Sequence, residues 1–388
     1  MQIAGCPLPA CWLLSLIPSN IVEILNTEHF ALNNGAKMVT ERELYNAAIK
    51  MEEIERPVAT SLTLITGEMF GATGISPVGL FDNPKGLAQL AKYGHDTFGF
   101  DSCEIFNIWS HVEYLGAEVD YTADQPYVKN HLYTLNDEFE MPDMDKYLDY
   151  HKTKTSIAGT VELRKLAGPD GAVNCINSWG PLTCAGHLVG AEEIMIGMAM
   201  EPDNVKRLTK FISDFNCEAY KLELENGQAE AIDSLSMAEP TATGDMISPE
   251  MFEEFVQPFV KQEHKVIRST GLTSMLHICG NTTMNLPAMI ACGSNAISVE
   301  QTVDPYEIVK IADNRVCMFG NVGPIQPLWQ GTPEEVKADV EKSIDAGFRM
   351  IAPGCSFVPM TPGANLKAMT AAVKASKKRF AKGKNSSA

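Results

Sequence analysis

Ser248-Pro-Glu-Met-Phe-Glu-Glu-Phe-Val-Gln-Pro-Phe-Val260, then Ser274-Met-Leu-His-Ile-Cys-Gly280, then Ala296-Ile-Ser-Val-Glu300: these three pieces decide the fold of this chain. The first begins with a capping serine and a proline at the first helical position. It then places Phe252, Phe255, Val256, Phe259 and Val260 along one face, the pattern of an amphipathic helix. Pro258 predicts a kink in it. The other two are short, nearly continuous apolar runs, as expected of parallel strands covered on both faces.

The same alternation extends outward in both directions. Candidate strands fall at 58–65, 97–104, 172–178, 231–237, 275–279, 296–300, 316–321 and 350–355. Helix signals lie between them: Asn83-Pro84, the capping box Thr332-Pro-Glu-Glu335, and stops at Gly271 and Gly347. Eight strand–helix repeats predict an α/β fold, a (β/α)8 barrel. Two stretches interrupt the rhythm. Residues 106–170, rich in Tyr, Asp and His, read as an insertion, and 181–228 read as two helices in place of one. The tail from Lys377 reads as a frayed basic helix end.

Residues 1–37 contain a short apolar run, Cys11–Ile17, with no Lys or Arg before it. It fails the signal-peptide pattern and is too short to span a bilayer. Thr40, with Glu43 three residues on, marks a helix start. The expected organisation is therefore an extension over 1–37 and a single barrel domain over 38–388.

The chain has 388 residues, 45% hydrophobic and 21% charged, enough for a large buried core. Its net charge of −18 argues against a nucleic-acid or anionic-membrane partner. Ten cysteines without a CxxC pair make no disulfide framework. The bland reading of Cys103, Cys175, Cys184, Cys217, Cys292 and Cys317 is a buried small hydrophobe in a reducing cytoplasm.

Three residues stand apart. In a strand, positions i and i+2 face the same way, so His277 and Cys279 can grip one ion together. Cys355 ends the last candidate strand, and active sites of this fold lie at the C-terminal strand ends. Taken singly, His277 reads as a core histidine and Cys355 as a packed thiol. Together they offer one nitrogen and two sulfurs, a set that suits Zn2+ with one position open for a substrate. Glu300, at the end of the sixth strand, is the candidate fourth ligand, one that an incoming thiol can displace. Its alternative is an ion pair or a helix N-terminus. Thiolate ligands blunt a metal's power to acidify water, so the set points to thiol activation rather than hydrolysis.

The segments Leu276-His-Ile-Cys-Gly-Asn281, Ser298-Val-Glu-Gln301, Phe319-Gly-Asn-Val322 and Ala352-Pro-Gly-Cys-Ser-Phe-Val-Pro-Met-Thr-Pro-Gly-Ala-Asn-Leu-Lys367 resemble the methylcobamide:coenzyme M methyltransferases. These belong to the uroporphyrinogen decarboxylase superfamily of (β/α)8 barrels. The resemblance runs from about Thr40 to the last helix and is strongest from Ser248 onward.

It implies zinc on His277, Cys279 and Cys355, with Glu300 as a resting ligand. It also implies methyl transfer from a methylated corrinoid, carried by a partner protein, to the thiol of coenzyme M. No Asp-x-His-x-x-Gly cobalamin motif occurs here, so the corrinoid comes on another chain.

Glu239 and Asp245 follow the fourth strand and are expected to line the mouth, although Asp245 also suits helix capping and the family often has Asp where Glu239 stands. Asn281 and Asn321 are expected to bond a metal ligand or the acceptor. His187 reads as a helix histidine. A different acceptor such as homocysteine keeps the mechanism. Uroporphyrinogen decarboxylase activity calls for arginines after the first strand, and Ser61–Met69 has none. A zinc-stabilised docking subunit is the non-enzymatic alternative.

Overall fold

A computed structural model describes residues 39–122 and 126–384; the expected extension over 1–37 lies outside them. Eight parallel strands form one sheet: β1 (Val58–Ala59), β2 (Ser102–Phe106), β5 (Ala172–Trp179), β6 (Ser234–Ala238), β7 (Thr273–Ile278), β8 (Ala296–Val299), β9 (Cys317–Val322) and β10 (Met350–Pro353). Two further strands, β3 (Val119–Asp120) and β4 (Tyr127–Val128), make a small antiparallel hairpin. The order around the sheet is β1-β10-β9-β8-β7-β6-β5-β2, a nearly closed barrel with helices between successive strands.

Strand alternation sorts the core into two layers. Met275, Ala296, Phe319 and Met350 gather on one side with Leu44, Tyr45 and Ile49 of the helix Glu41–Ile49. Their chain neighbours Leu276, Ile297, Met318 and Ile351 pack on the other side, against the helical layer. The first set fills the barrel interior. His277 and Ser298, two residues beyond Met275 and Ala296, face inward with it.

The seam closes without a ladder. β1 and β2 end the sheet, and the Asp101 N–H donates to Ala59 O at 2.8 Å while the Ala59 N–H donates to Asp101 Oδ2 at 2.9 Å. Arg56 grips the same buried carboxylate twice, at 2.8 and 2.9 Å, and Lys374 lies 3.4 Å away. Thr60 and Ser102 join their hydroxyls at 2.7 Å, and both approach Glu104.

Burial pushes the Glu104 carboxyl up from 4.5 to about 7, against hydrogen bonds from Ser102, Thr60 and the Ser61 N–H. A folded pKa above the unfolded one means its contribution is complete below about pH 4.5 and lost as pH rises through about 7. Across that window the group costs the folded state roughly 3 kcal/mol. Glu104→Gln is therefore expected to flatten the fall in stability from pH 5 to pH 8. Urea melts showing equal slopes for wild type and variant would dismiss this.

Several local expectations change. β1 pairs over two residues, not eight, because the Ser61 hydroxyl donates to Thr63 O and turns the chain out of the ladder. The helix Pro84–Phe98 runs through the start of the expected second strand and stops at Gly99, whose φ of +80° suits glycine. The fourth barrel strand begins at Ser234, after Ala229–Ala231 closes a helix.

Within 106–170, His151–Ala167 is the helix that joins β2 to β5, so the added material is 107–150. Residues 181–223 form three helices, Pro181–Val189, Ala191–Met200 and Pro202–Glu223, because Gly190 and Pro202 break the run twice. The kink ahead of Pro258 is a full break at Val256. The tail is no helix: Ser376 ends Gly363–Ala375, and Phe380 then bridges Ile54 by two backbone bonds. Burial of Phe380 outweighs the helical propensity of its lysine-rich neighbours.

Candidate metal centre

β7 carries His277 on its inner face, 4% exposed, and the chain leaves the strand at Cys279. Gly280 follows with φ +72°, and a Cβ there would meet Thr243 Oγ1 at 2.4 Å and Asp245 Oδ2 at 2.5 Å. Glycine is required for both reasons. On the other arm, a Cβ on Gly354 would meet Gln301 N at 2.8 Å and Glu300 Cα at 2.9 Å. The loop after β10 can therefore lie flat on the end of β8, which brings Cys355 across two intervening strands toward Cys279.

The two sulfurs lie 3.4 Å apart, and Cys279 Sγ is 3.2 Å from His277 Nε2. The donor atoms of His277, Cys279 and Cys355 all fall within 4.8 Å of one another. A disulfide would need about 2.05 Å between sulfurs. Around a tetrahedral zinc with Zn–S near 2.3 Å, two sulfurs stand about 3.8 Å apart and a sulfur and nitrogen about 3.6 Å. The observed separations are slightly shorter than those edges, so a small outward movement seats the ion. Donor type and spacing both fit zinc.

His277 Nδ1 lies 2.9 Å from Ser298 Oγ, its register partner on β8. If Nδ1 carries the proton and donates to that hydroxyl, the Nε2 lone pair is left for the metal. The sequence reading passed over Ser298.

Electrostatics divide the thiols. The hydrogen bond with Cys279, then His277, pulls the Cys355 thiol down to about 4. The same Cys355 contact, with burial and Glu300, pushes Cys279 up. Cys103, Cys175, Cys184, Cys217, Cys292 and Cys317 are buried, and burial raises each thiol, as their bland reading expects.

Of the remaining expected residues, Glu239 does not line the mouth but is buried against the start of a helix. Glu300 accepts the Gly280 N–H through Oε2, beside the turn that follows Cys279. Asp245 accepts the Asn281 N–H at 2.8 Å, tying the loops after β6 and β7 together. Asn281 Oδ1 in turn accepts from the Thr283 N–H. Asn321 is buried, donating toward Glu300 O and Val303 O and accepting from Ser343. Glu239 is fully buried, where its carboxylate accepts the Leu182 and Thr183 N–H groups at the start of the helix Pro181–Val189. Burial pushes it up to about 7, against bonds from Thr183 and Leu182. His187 packs between Trp109 and Trp179, and burial lowers it to about 4.

Residues 40–376 match the sequence model of the uroporphyrinogen decarboxylase family. The chain belongs to this family. Within it, the chain is a member of the methylcobamide:coenzyme M methyltransferases and is a methyltransferase. The methylcobamide:CoM methyltransferase MtbA of Methanosarcina acetivorans is 30% identical over 343 residues, 86% of this chain and 98% of that protein. MtaA of Methanosarcina barkeri, named for the same activity, is 28% identical over 334 residues, 84% and 95% of the two chains.

A solved methyltransferase from Methanosarcina mazei superposes with a TM-score of 0.78 at 24% identity, covering 86% of this chain and 98% of that one. That likeness shows the barrel. Among the described residues, no helix is long and apolar enough to cross a membrane.

Proposed function

We propose that this protein moves a methyl group from a methylated corrinoid, presented by a partner protein, to the thiol of coenzyme M. The observation that carries the proposal is the convergence of His277 Nε2, Cys279 Sγ and Cys355 Sγ at the barrel mouth. The methylcobamide:CoM methyltransferases of Methanosarcina, similar over most of the chain, support it. A zinc ion held by these three donors would let the acceptor bind as its thiolate, although a free thiol with pKa near 8.5 is mostly protonated at neutral pH.

The chain's own groups prepare that position. Ser298 orients the His277 ring, and the glycines at 280 and 354 let the two cysteine loops approach. Glu300, beside the turn after Cys279, would supply a fourth donor to such an ion, one that the acceptor thiol could replace. Asp245 and Asn281 border the opening, while Asn321 and Glu239 act as positioning residues through their buried bonds. In the transfer, the acceptor sulfur forms its bond to the methyl carbon as the cobalt–carbon bond breaks, both electrons remaining on cobalt. Holding the two reactants in line supplies much of the rate. The eight described cysteines are free thiols, which supports a reducing, cytoplasmic setting.

The test is thiol-dependent demethylation of methylcobalamin by zinc-loaded protein, with coenzyme M and homocysteine in parallel. Transfer to coenzyme M at a kcat/KM at least about tenfold above homocysteine is expected, a difference of roughly 1.4 kcal/mol. Preference for homocysteine would replace the acceptor. No transfer to either thiol would overturn the reading.

A further inference from the structure

The insertion over 107–150 is fastened to the barrel near both of its ends, and by one side chain. Near its start the short helix Ser110–Tyr114 carries His111, and near its end the turn Met144–Asp149 carries Tyr147. Both side chains are wholly buried, and both reach the carboxyl group of Glu223, the last residue of the helix Pro202–Glu223. The Tyr147 hydroxyl donates to Glu223 Oε1 at 2.5 Å, and His111 Nε2 lies 3.4 Å from the same oxygen. Asn177, on β5, donates its amide N–H to Glu223 Oε2.

The other nitrogen of His111 extends the junction. Nδ1 lies 2.9 Å from Asn216 Oδ1, and the Asn216 amide donates to Glu263 Oε1 at 3.1 Å. Asn177, Asn216, Glu223 and Glu263 are as fully buried as the two insertion residues. The rings of Tyr220 and Phe215 close over the imidazole, with centroids 5.2 and 5.8 Å away. In so enclosed a place, a carboxyl that loses a donor has no solvent at hand to replace it. Lifting one end of the insertion therefore weakens the hold on the other.

The consequence reaches the mouth of the barrel. Trp109, two residues before His111, is 5% exposed, and its ring lies 5.2 Å from that of Trp179 and 5.3 Å from that of His187. Trp179 ends β5 level with His277, through the register Trp179–Ala238–His277 across β5, β6 and β7. Fastening His111 thus sets Trp109 in place at the end of the barrel that carries the metal donors.

We infer that Glu223 is a latch: by holding both ends of the insertion, it keeps this segment a fixed wall of the mouth and not a hinged flap. Glu223 acts through His111 and Tyr147 and is a positioning residue. The inference goes beyond the methyl-transfer reading and does not depend on it.

The test is backbone hydrogen exchange of the full chain, read peptide by peptide by mass spectrometry. Tyr147→Phe keeps the ring and removes only the hydroxyl. It is expected to speed exchange by about tenfold over 144–150 and, through the shared carboxyl, over 110–115 as well. Glu223→Gln should loosen the same two stretches, while the helix Pro333–Ala346, between β9 and β10, exchanges as in wild type. Acrylamide quenching of tryptophan fluorescence should rise in both variants, and the rise should vanish when Trp109→Phe is added. Loosening confined to 144–150, or exchange unchanged at both stretches, overturns the inference. So does equal acceleration in Pro333–Ala346, which would make the carboxyl a contributor to the whole fold, and so does quenching that neither variant moves.

Discussion

Cys279→Ser and Cys355→Ser are each expected to lower coenzyme M-dependent demethylation of methylcobalamin by roughly a thousandfold, about 4 kcal/mol of barrier. Each should also release zinc. A serine hydroxyl does not ionise near neutrality, so the substitution removes both a donor and a negative charge from a three-ligand site. In the proposed site the two sulfurs, 3.4 Å apart, would hold one ion, so the losses should not add: the double variant should be scarcely worse than either single one.

Metal analysis and thermal melts accompany the assay, because a collapsed barrel would also lose activity. The thiols are half-buried rather than core residues, and fold retention is expected. A Cys355→Ser protein with full zinc and near-normal turnover would remove the third donor from the site.

The second large effect is on stability. Asp101→Ala should cost about 3–5 kcal/mol, read as a shifted midpoint in urea unfolding, because it deletes one partner of a buried ion pair. The carboxylate replaces the ladder that β1 and β2 lack, holding the Ala59 N–H and the Arg56 guanidinium at once. Removing it leaves Arg56, only partly exposed, without its buried counter-charge. A loss under about 1 kcal/mol would mean that packing, not this clamp, closes the seam.

Where the sequence reading went astray, the cause was competition between local and tertiary terms. Ser61 and Thr63 look like strand residues by pattern, yet a serine hydroxyl bonding a backbone carbonyl ends β1 at Ala59. Lys377–Lys384 looks helical, yet the pocket that accepts Phe380 beside Ile54 lies more than three hundred residues away in the chain. Ser298 was missed because its role depends on register with His277, which no run of residues on a single strand displays.

The order of elements, the His-x-Cys spacing at the end of one strand and the glycines beside the two cysteines, Gly280 and Gly354, were determined by the sequence alone, since period, capping and backbone freedom are properties of neighbouring residues. Whether Cys355 reaches that pair was decided only by the tertiary structure. The meeting depends on the path of β8 and β9 between the two arms and on a seam clasped by Asp101, and both arise from packing among segments far apart in the chain.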